Sequence, residues 1–381
     1  MLRSKRIGVL GGGQLGKMMA QAAGRWNLDL HLMDKTTDFP AAQVTDGFIV
    51  GDFSKYDPVY SFGQEMDVIT IEIENVNTDA LAQLEADGKA VYPQPRVIRT
   101  IKDKGLQKLF YRNHQLPTSD FALYEGASDI QKAIDAGTLK LPFVQKARTG
   151  GYDGRGVHVI RTKEDLDQLL PTTSVVEDMI DIEKELSVIV ARNPSDAVCC
   201  FPVVEMTFHP TANLVEDLRS PAAISDDLVL QIEQLAHRVI RAYNMVGILA
   251  IELFFTKDGA LLINEVAPRA HNSGHQTIEA NICSQYEQLL RAILDLPLGS
   301  TQQRAPAVMV NILGEPGHHG PARYEGLEKC LAMPDVHLHI YGKKETKPYR
   351  KMGHATILGA TLEEAVEKAK EVSGLIKVIS S

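Results

Sequence analysis

Apolar and polar positions follow two rhythms along the first hundred residues. Residues 7–10 are a short unbroken apolar run, residues 14–26 repeat apolar positions at helical spacing, and residues 28–33 and 67–73 are again strand-like. Strands alternating with helices predict a parallel sheet covered by helices on both faces. Pro93 and Pro95 break the rhythm and mark a linker. From about 101 to 300 the pattern mixes hairpins with helices. Residues 141–147 and 157–160 are expected strands flanking a glycine-rich loop. Ser225-Asp226-Asp227 reads as a helix start, with a hydroxyl cap and acids at the positive end of the dipole. Leu228, Ile232, Leu235 and Val239 then make a core-facing stripe. Residues 246–255 and 260–266 are two strands joined by the turn Lys257-Asp258-Gly259. Past 301, strands at 308–313 and 336–341 and a helix at 362–372 predict a small β-rich terminal domain. The expected fold is α/β and α+β, divided at 1–100, 101–300 and 301–381.

A chain of 381 residues suits two or three such domains. With 44% hydrophobic and 23% charged residues it belongs to the soluble globular class. No apolar run approaches the ~20 residues of a membrane span. The basic start runs into Gly11-Gly12-Gly13 before a signal-peptide core can form. Cys199, Cys200, Cys283 and Cys330 match no zinc spacing, so a reduced, cytoplasmic protein without structural metal is expected. Its 40 basic and 49 acidic side chains leave a net charge of −9, which gives nucleic acid no electrostatic help. An anionic ligand must therefore be held by local clusters.

The first candidate is Gly11-Gly12-Gly13-Gln14-Leu15-Gly16, which fits G-x-G-x-x-G between a strand and a helix. Asp34 ends the next strand, where a dinucleotide fold keeps its ribose-binding acid. Close packing alone, or a different phosphate at the helix start, explains the glycines equally. In Ile69-Thr70-Ile71-Glu72-Ile73-Glu74 the glutamates alternate with isoleucines, which would set both on one face at the ligand-binding end of the sheet. A second loop, Thr149-Gly150-Gly151-Tyr152-Asp153-Gly154-Arg155-Gly156, lies between two strands. Such a hairpin loop can close over a polyphosphate, with Lys146 and Arg155 reaching its oxygens.

Glu252 sits in a strongly apolar strand, and Asn264-Glu265 on the returning one. A two-residue turn would set Glu252 opposite Glu265; a three-residue turn would set it opposite Asn264, with Glu265 diagonal. Either way the carboxylates come within ~5–8 Å of each other in apolar surroundings. That pairing asks for a proton or a cation, and oxygen ligands of this number suit Mg²⁺ carrying nucleotide phosphates. The polar run Arg269-Ala270-His271-Asn272-Ser273-Gly274-His275 follows directly and reads as a second-substrate pocket rather than a zinc site. Finally, Lys343, Lys344, Lys347, Arg350 and Lys351 crowd one stretch, as a solvated turn or an anchor for an anionic group.

Together these segments, with Asn264-Glu265-Val266-Ala267-Pro268-Arg269 and Tyr349-Arg350-Lys351-Met352-Gly353-His354, resemble the ATP-grasp superfamily. Within it the chain resembles the 5-(carboxyamino)imidazole ribonucleotide synthase family. The resemblance implies a Rossmann-like N-terminal domain, a central ATP-grasp domain, a small C-terminal domain and a homodimer. The implied activity is ATP- and bicarbonate-dependent carboxylation of 5-aminoimidazole ribonucleotide through carboxyphosphate, in purine synthesis. ATP and Mg²⁺ are the implied cofactors.

By matching positions, ATP would be held by Lys104, Lys146, Gly151, Tyr152, Asp153, Gly154, Arg155, Gly156, Val157, Asn264 and Glu265. Glu177, Asp178, Met179 and Ile180 would form the adenine hinge, Glu185 the ribose ligand, and His209 a further nucleotide contact. Glu252 and Glu265 would be the metal ligands. Gln14, Leu15, Glu74, Tyr152, Asp153, Arg155, Arg269, Asn272, Ser273, Lys343, Arg350 and Lys351 would hold the ribonucleotide, with Arg155, Arg269, His271 and Asn272 at the reaction centre. Lys104 stands where arginine is common, Ala270 where proline is usual, and residues 206–213 are lengthened. Two other readings remain: a formate-dependent glycinamide ribonucleotide transformylase, and an NAD-dependent oxidoreductase built on residues 11–16 and Asp34.

Overall fold

The computed structural model describes residues 5–150, 156–208 and 215–381. Strands β1 (Arg6–Leu10), β2 (Asp29–Asp34), β3 (Phe48–Val50), β4 (Val68–Ile71) and β5 (Ala90–Val91) form a parallel sheet in the order β3-β2-β1-β4-β5. Its central strands β1 and β4 are almost wholly buried because both faces are covered. Ile7 and Val9 pack with Leu15, Met18 and Met19 of helix Gln14–Gly24 on one face. Leu10, Ile69 and Ile71 pack with Val59, Phe62, Leu81 and Leu84 on the other. The first of these cores runs on into Tyr286, Leu289 and Leu290 of helix Gln285–Ile293 and into Ile248 and Ala250 of the central region. The parallel sheet is thereby fixed against the rest of the chain.

Strands β6 (Phe121–Tyr124), β7 (Phe143–Ala147), β8 (Val157–Ile160) and β9 (Ser174–Asp178) make a second, antiparallel sheet in the order β6-β9-β7-β8. Its core of Ile130, Phe143, Ile160 and Val176 is small and local.

The chain continues through β10 (Ile182–Arg192), β11 (Val198–Cys200), β12 (Val204–Phe208), β13 (Val215–Ser220), β14 (Gly247–Thr256) and β15 (Leu261–Ala267). It ends with β16 (Ala307–Leu313), β17 (Gly320–Glu325), β18 (Val336–Ile340), β19 (Glu345–Thr346), β20 (Lys351–Leu358) and β21 (Lys377–Ser380). The largest sheet runs β15-β14-β10-β12-β13-β16-β20-β18, with β11 beside β10. The terminal strands β16, β20 and β18 thus extend the central sheet through β13, while β19-β17-β21 form a separate small sheet. Helix Asp226–Ala242 buries the expected stripe, Leu228, Ile232, Leu235 and Val239, and Ser225 Oγ accepts from Leu228 N at 3.3 Å.

The β14–β15 hairpin combines both turn readings. Gly259 takes φ +85° in a three-residue loop, and Thr256 N donates to Ala260 O at 3.0 Å. Phe255, Phe254 and Leu253 pair with Leu261, Leu262 and Ile263, a register that would bring Asn264 opposite Glu252. The register then shifts, and Glu252 faces Glu265 instead. Asn264 is the surplus residue of a bulge, so Asn264 and Glu265 are both half-buried and both line the cleft between buried Ile263 and Val266.

Candidate active site

A cleft of about 1440 Å³ opens where the three parts of the chain meet. The parallel sheet contributes Gln14, Leu15, Glu72 and Glu74; the second sheet contributes Lys146, Val157 and Glu177; the large sheet contributes Glu185, Glu252, Asn264 and Glu265. Lys104, Arg269, His271, Asn272 and the segment Asp178, Met179, Ile180 complete its walls. From the far end of the chain come Lys343, Arg350 and Lys351. The expected positions Gly151, Tyr152, Asp153, Gly154, Arg155 and His209 lie outside the described residues. Gly156 closes the loop's base, its carbonyl accepting from Ala147 N at 2.8 Å.

The first glycine loop is already occupied by protein. Strand β4 stops at Ile71, so Glu72 and Glu74 do not share a strand face as their alternation suggested. Glu72 turns under the loop and accepts from Gly13 N and Gly16 N, both at 2.5 Å. Asp34, 2% exposed, accepts from Gly12 N at 2.8 Å and Lys35 N at 2.7 Å. A Cβ on Gly11 or Gly13 would stand 2.3 or 2.6 Å from Glu72, which explains two of the glycines. The amides that a dinucleotide pyrophosphate would use are satisfied internally, and the acid that would take its ribose is buried. This removes the structural basis of the oxidoreductase reading. Glu74 instead pairs with Arg269 Nε at 2.8 Å.

The charged residues of the cleft hold one another in place. Lys104 pairs with Glu265, and Lys146 reaches Glu177 Oε1 at 3.0 Å and Asn264 Oδ1 at 2.9 Å. Across the hairpin, burial raises the Glu252 carboxyl, and the charges of Glu265 and Glu185 raise it further. The Lys104 ammonium holds Glu265 well below its usual range. Burial pushes Glu185 up to about 7, partly opposed by Lys146. Replacing Glu185 by Gln is therefore expected to stabilise the ligand-free protein in a pH-dependent way. The parent loses stability as pH rises from 4.5, where the unfolded carboxyl ionises, to about 7, where the folded one does. Above pH 7 the Gln variant should be favoured by ~3 kcal/mol, and at pH 4 by nothing, as measured by thermal unfolding across that range.

The polar loop after β15 is built for orientation. Ser273 does not line the cleft; its Oγ meets Ser187 Oγ at 2.8 Å and His271 Nδ1 at 2.9 Å. Ser273 N also donates to His271 Nδ1 at 3.3 Å, which leaves the ring hydrogen of neutral His271 on Nε2. That nitrogen lies 3.6 Å from Glu252 Oε1. Both polar atoms of the Asn272 side chain are buried with no hydrogen-bond partner among the described residues. Leaving them so costs about 1–3 kcal/mol, which a ligand offering a donor and an acceptor would recover. In the basic segment, Lys343 Nζ donates to Lys351 O at 2.7 Å and Arg350 to Glu345 O at 2.7 Å, while Lys344 pairs with Asp38.

Sequence reasoning missed two contributors, Arg148 and Lys108, and misread a third. Arg148 lines the cleft and is clamped by Asp103 at 2.7 and 2.9 Å. Glu72 was read as a ligand contact and serves as an internal cap. Lys108 lies buried behind Glu177, 2.9 Å from its carboxylate. Its signal was a lysine on the inward face of helix Lys104–Asn113, in line with buried Gly105 and Tyr111.

Two carboxylates facing each other, the hairpin pair, fit a divalent cation by donor type, and the raised Glu252 marks the charge such an ion would relieve. Among the described residues no group of three or more His, Cys, Asp or Glu side chains could hold one alone. The remaining ligands of an ion there would be the nucleotide's own oxygens and water.

Family models match three consecutive stretches. These are a ribonucleotide synthetase preATP-grasp domain at residues 4–102, an ATP-grasp domain at 109–286, and a phosphoribosylaminoimidazole carboxylase C-terminal domain at 307–368. A chloroplastic phosphoribosylaminoimidazole carboxylase of Vigna aconitifolia is 36% identical over 93% of this chain, and the chain spans 64% of that longer protein. The N5-carboxyaminoimidazole ribonucleotide synthase of Synechococcus elongatus is 37% identical over 98% of this chain and 95% of its own. The crystal structure of N5-carboxyaminoimidazole ribonucleotide synthetase from Thermotoga maritima superposes with a TM-score of 0.90 at 40% identity, covering 99% of this chain and 100% of that one. That of the Aspergillus clavatus synthase with ADP and 5-aminoimidazole ribonucleotide gives 0.88 at 31% identity, covering 98% and 99%. The chain belongs to the N5-carboxyaminoimidazole ribonucleotide synthase family of ATP-grasp enzymes.

Proposed function

We propose that the chain joins bicarbonate to the exocyclic amine of 5-aminoimidazole ribonucleotide at the expense of ATP, releasing ADP and phosphate in purine synthesis. The observation that carries this reading is one cleft holding a facing carboxylate pair, two lysines and, beside them, the Arg269–Asn272 loop with its unsatisfied amide. The relative solved with ADP and 5-aminoimidazole ribonucleotide supports it.

A bicarbonate oxygen attacks the γ-phosphorus, and the bond to the ADP oxygen breaks, giving carboxyphosphate. Lys104 and Lys146 neutralise and position the triphosphate, together with the glycine loop. The backbone of Asp178 to Ile180 faces the base, and Glu185 the ribose. Glu252 and Glu265 would hold Mg²⁺, which when bound offsets phosphate charge. Carboxyphosphate then splits into CO₂ and phosphate, and the amine nitrogen bonds to the carbon and loses a proton. His271 presents its Nε2–H, so it donates to an anionic oxygen, and the released phosphate takes the proton. Arg269, oriented by Glu74, steadies that phosphate. Asn272 satisfies its amide on the ribonucleotide, whose own phosphate is anchored by Lys343, Arg350 and Lys351. Excluding water protects the short-lived intermediate.

The three family matches support domain divisions near residues 100 and 300. Among the described residues no helix is long and apolar enough to cross a membrane. Family membership supports a cytoplasmic homodimer, which light scattering would check. The purified protein should release ADP only when bicarbonate and the ribonucleotide are both present, and label from bicarbonate should enter the ribonucleotide. ADP release that ignores either omission, or that formate with glycinamide ribonucleotide restores, would reject the assignment.

A further inference from the structure

The buried charges behind the cleft do not cancel in pairs. Lys108, with its side chain 3% exposed, donates to Thr118 Oγ1 at 2.6 Å, Ser119 Oγ at 2.9 Å and Glu177 Oε2 at 2.9 Å. Those three contacts use all the hydrogens of its ammonium. Glu177, 4% exposed, also accepts from Ser119 Oγ at 2.6 Å, and its other oxygen meets Lys146 Nζ at 3.0 Å. Thr118 is tied in turn to the hairpin by its hydrogen bond to Ile263 O at 2.8 Å. Two ammonium groups therefore share one carboxylate, and the triad carries a net charge of +1. Lys146 lines the cleft, whereas Lys108 is held behind it by groups of the interior.

With Lys146 alone, Glu177 would neutralise it and draw it back from the cleft. We infer that Lys108 is a positioning residue for the nucleotide reaction: by engaging Glu177 from behind, it leaves the charge of Lys146 uncancelled and aimed at the triphosphate. The inference rests on the ATP reading above and adds to it a residue that never touches the ligand. A lysine that only filled space would not matter to phosphate charge, because a methionine of similar length would fill it as well.

The test uses three variants of the full chain: Lys108→Met, Glu177→Gln and the two combined. Binding of ATP with magnesium is measured by calorimetry, and KM is measured for each substrate. In Lys108→Met the affinity for ATP should fall and its KM rise, on the order of tenfold to a hundredfold, with KM for the ribonucleotide unchanged. The double variant restores the net charge of +1 and should regain most of that loss. A folded Lys108→Met with parental ATP affinity overturns the inference, and so does a double variant no better than the single. Should Lys108→Met not fold, Lys108→Gln decides, since its amide can still donate to Thr118 and Ser119 but carries no charge. It should lose ATP affinity to a similar extent, and parental affinity in a folded Lys108→Gln protein overturns the inference. Failure of the parent itself to bind ATP would instead reject the nucleotide reading.

Discussion

Replacing Glu252 by Gln should lower ATP turnover roughly 100- to 1000-fold while leaving the ligand-free protein at least as stable as the parent. The two effects separate because the same carboxylate is a burden without ligand and a requirement with it. Glu252 lies in an apolar strand, where burial, and then the charges of Glu265 and Glu185, work against its ionisation. A neutral amide of the same shape relieves that opposition, yet it withholds the negative oxygen that a cation on the triphosphate needs. Glu265→Gln should behave differently, since it strips Lys104 of its partner and leaves a half-buried ammonium unpaired. Thermal unfolding and ADP release, measured side by side, check this. A Glu252→Gln protein that melts several degrees lower and still turns over ATP would make the pair a structural feature.

Glu72→Ala is expected to destabilise the protein by about 3 kcal/mol, a large effect for a residue lining a cleft. Its carboxylate receives Gly13 N and Gly16 N in an almost fully buried setting. Burial raises its pKa while those two amides oppose the rise, so the net gain is smaller than two charge-assisted bonds in isolation. Removing it strands both amides at a helix start and opens a void against Gly11. Glu72→Gln should lose nearly as much, since an amide can offer only one acceptor oxygen to two donors. Denaturant unfolding measures the loss. Unchanged stability in both variants would mean that water satisfies the loop, leaving it open to a bound anion after all.

Much of this architecture is written locally. The 225–242 helix declares itself through one hydroxyl, two acids and a four-residue apolar stripe, all of which lie where their spacing places them. The parallel sheet follows from short apolar runs between amphipathic helices. The hairpin and its facing carboxylates were legible too, but not the bulge that brings them opposite, because an extra residue in one strand is specified by packing across the sheet. Glu72 was misread for a related reason. Alternation with isoleucine implies a strand face only while the strand lasts, and β4 ends one residue earlier. Ser273 looked like a substrate contact within a polar run, and only the fold reveals that it props His271. Lys108 meets Glu177 from 69 positions away along the chain, a contact no local pattern announces. The continuity of β13 with β16 is likewise a long-range pairing, invisible until the register is known.

The second sheet keeps its hydrocarbon to itself: every member of its core and of the shell around it falls between residues 124 and 176. Polar contacts help fasten it to the floor of the cleft: the lysines and carboxylates that meet around Glu177 and Asn264, and Arg148 with Asp103. Ionic latches of this kind weaken as dissolved salt screens them, so the hold of this sheet on the floor should respond to ionic strength more than the hydrocarbon-bound parallel sheet does.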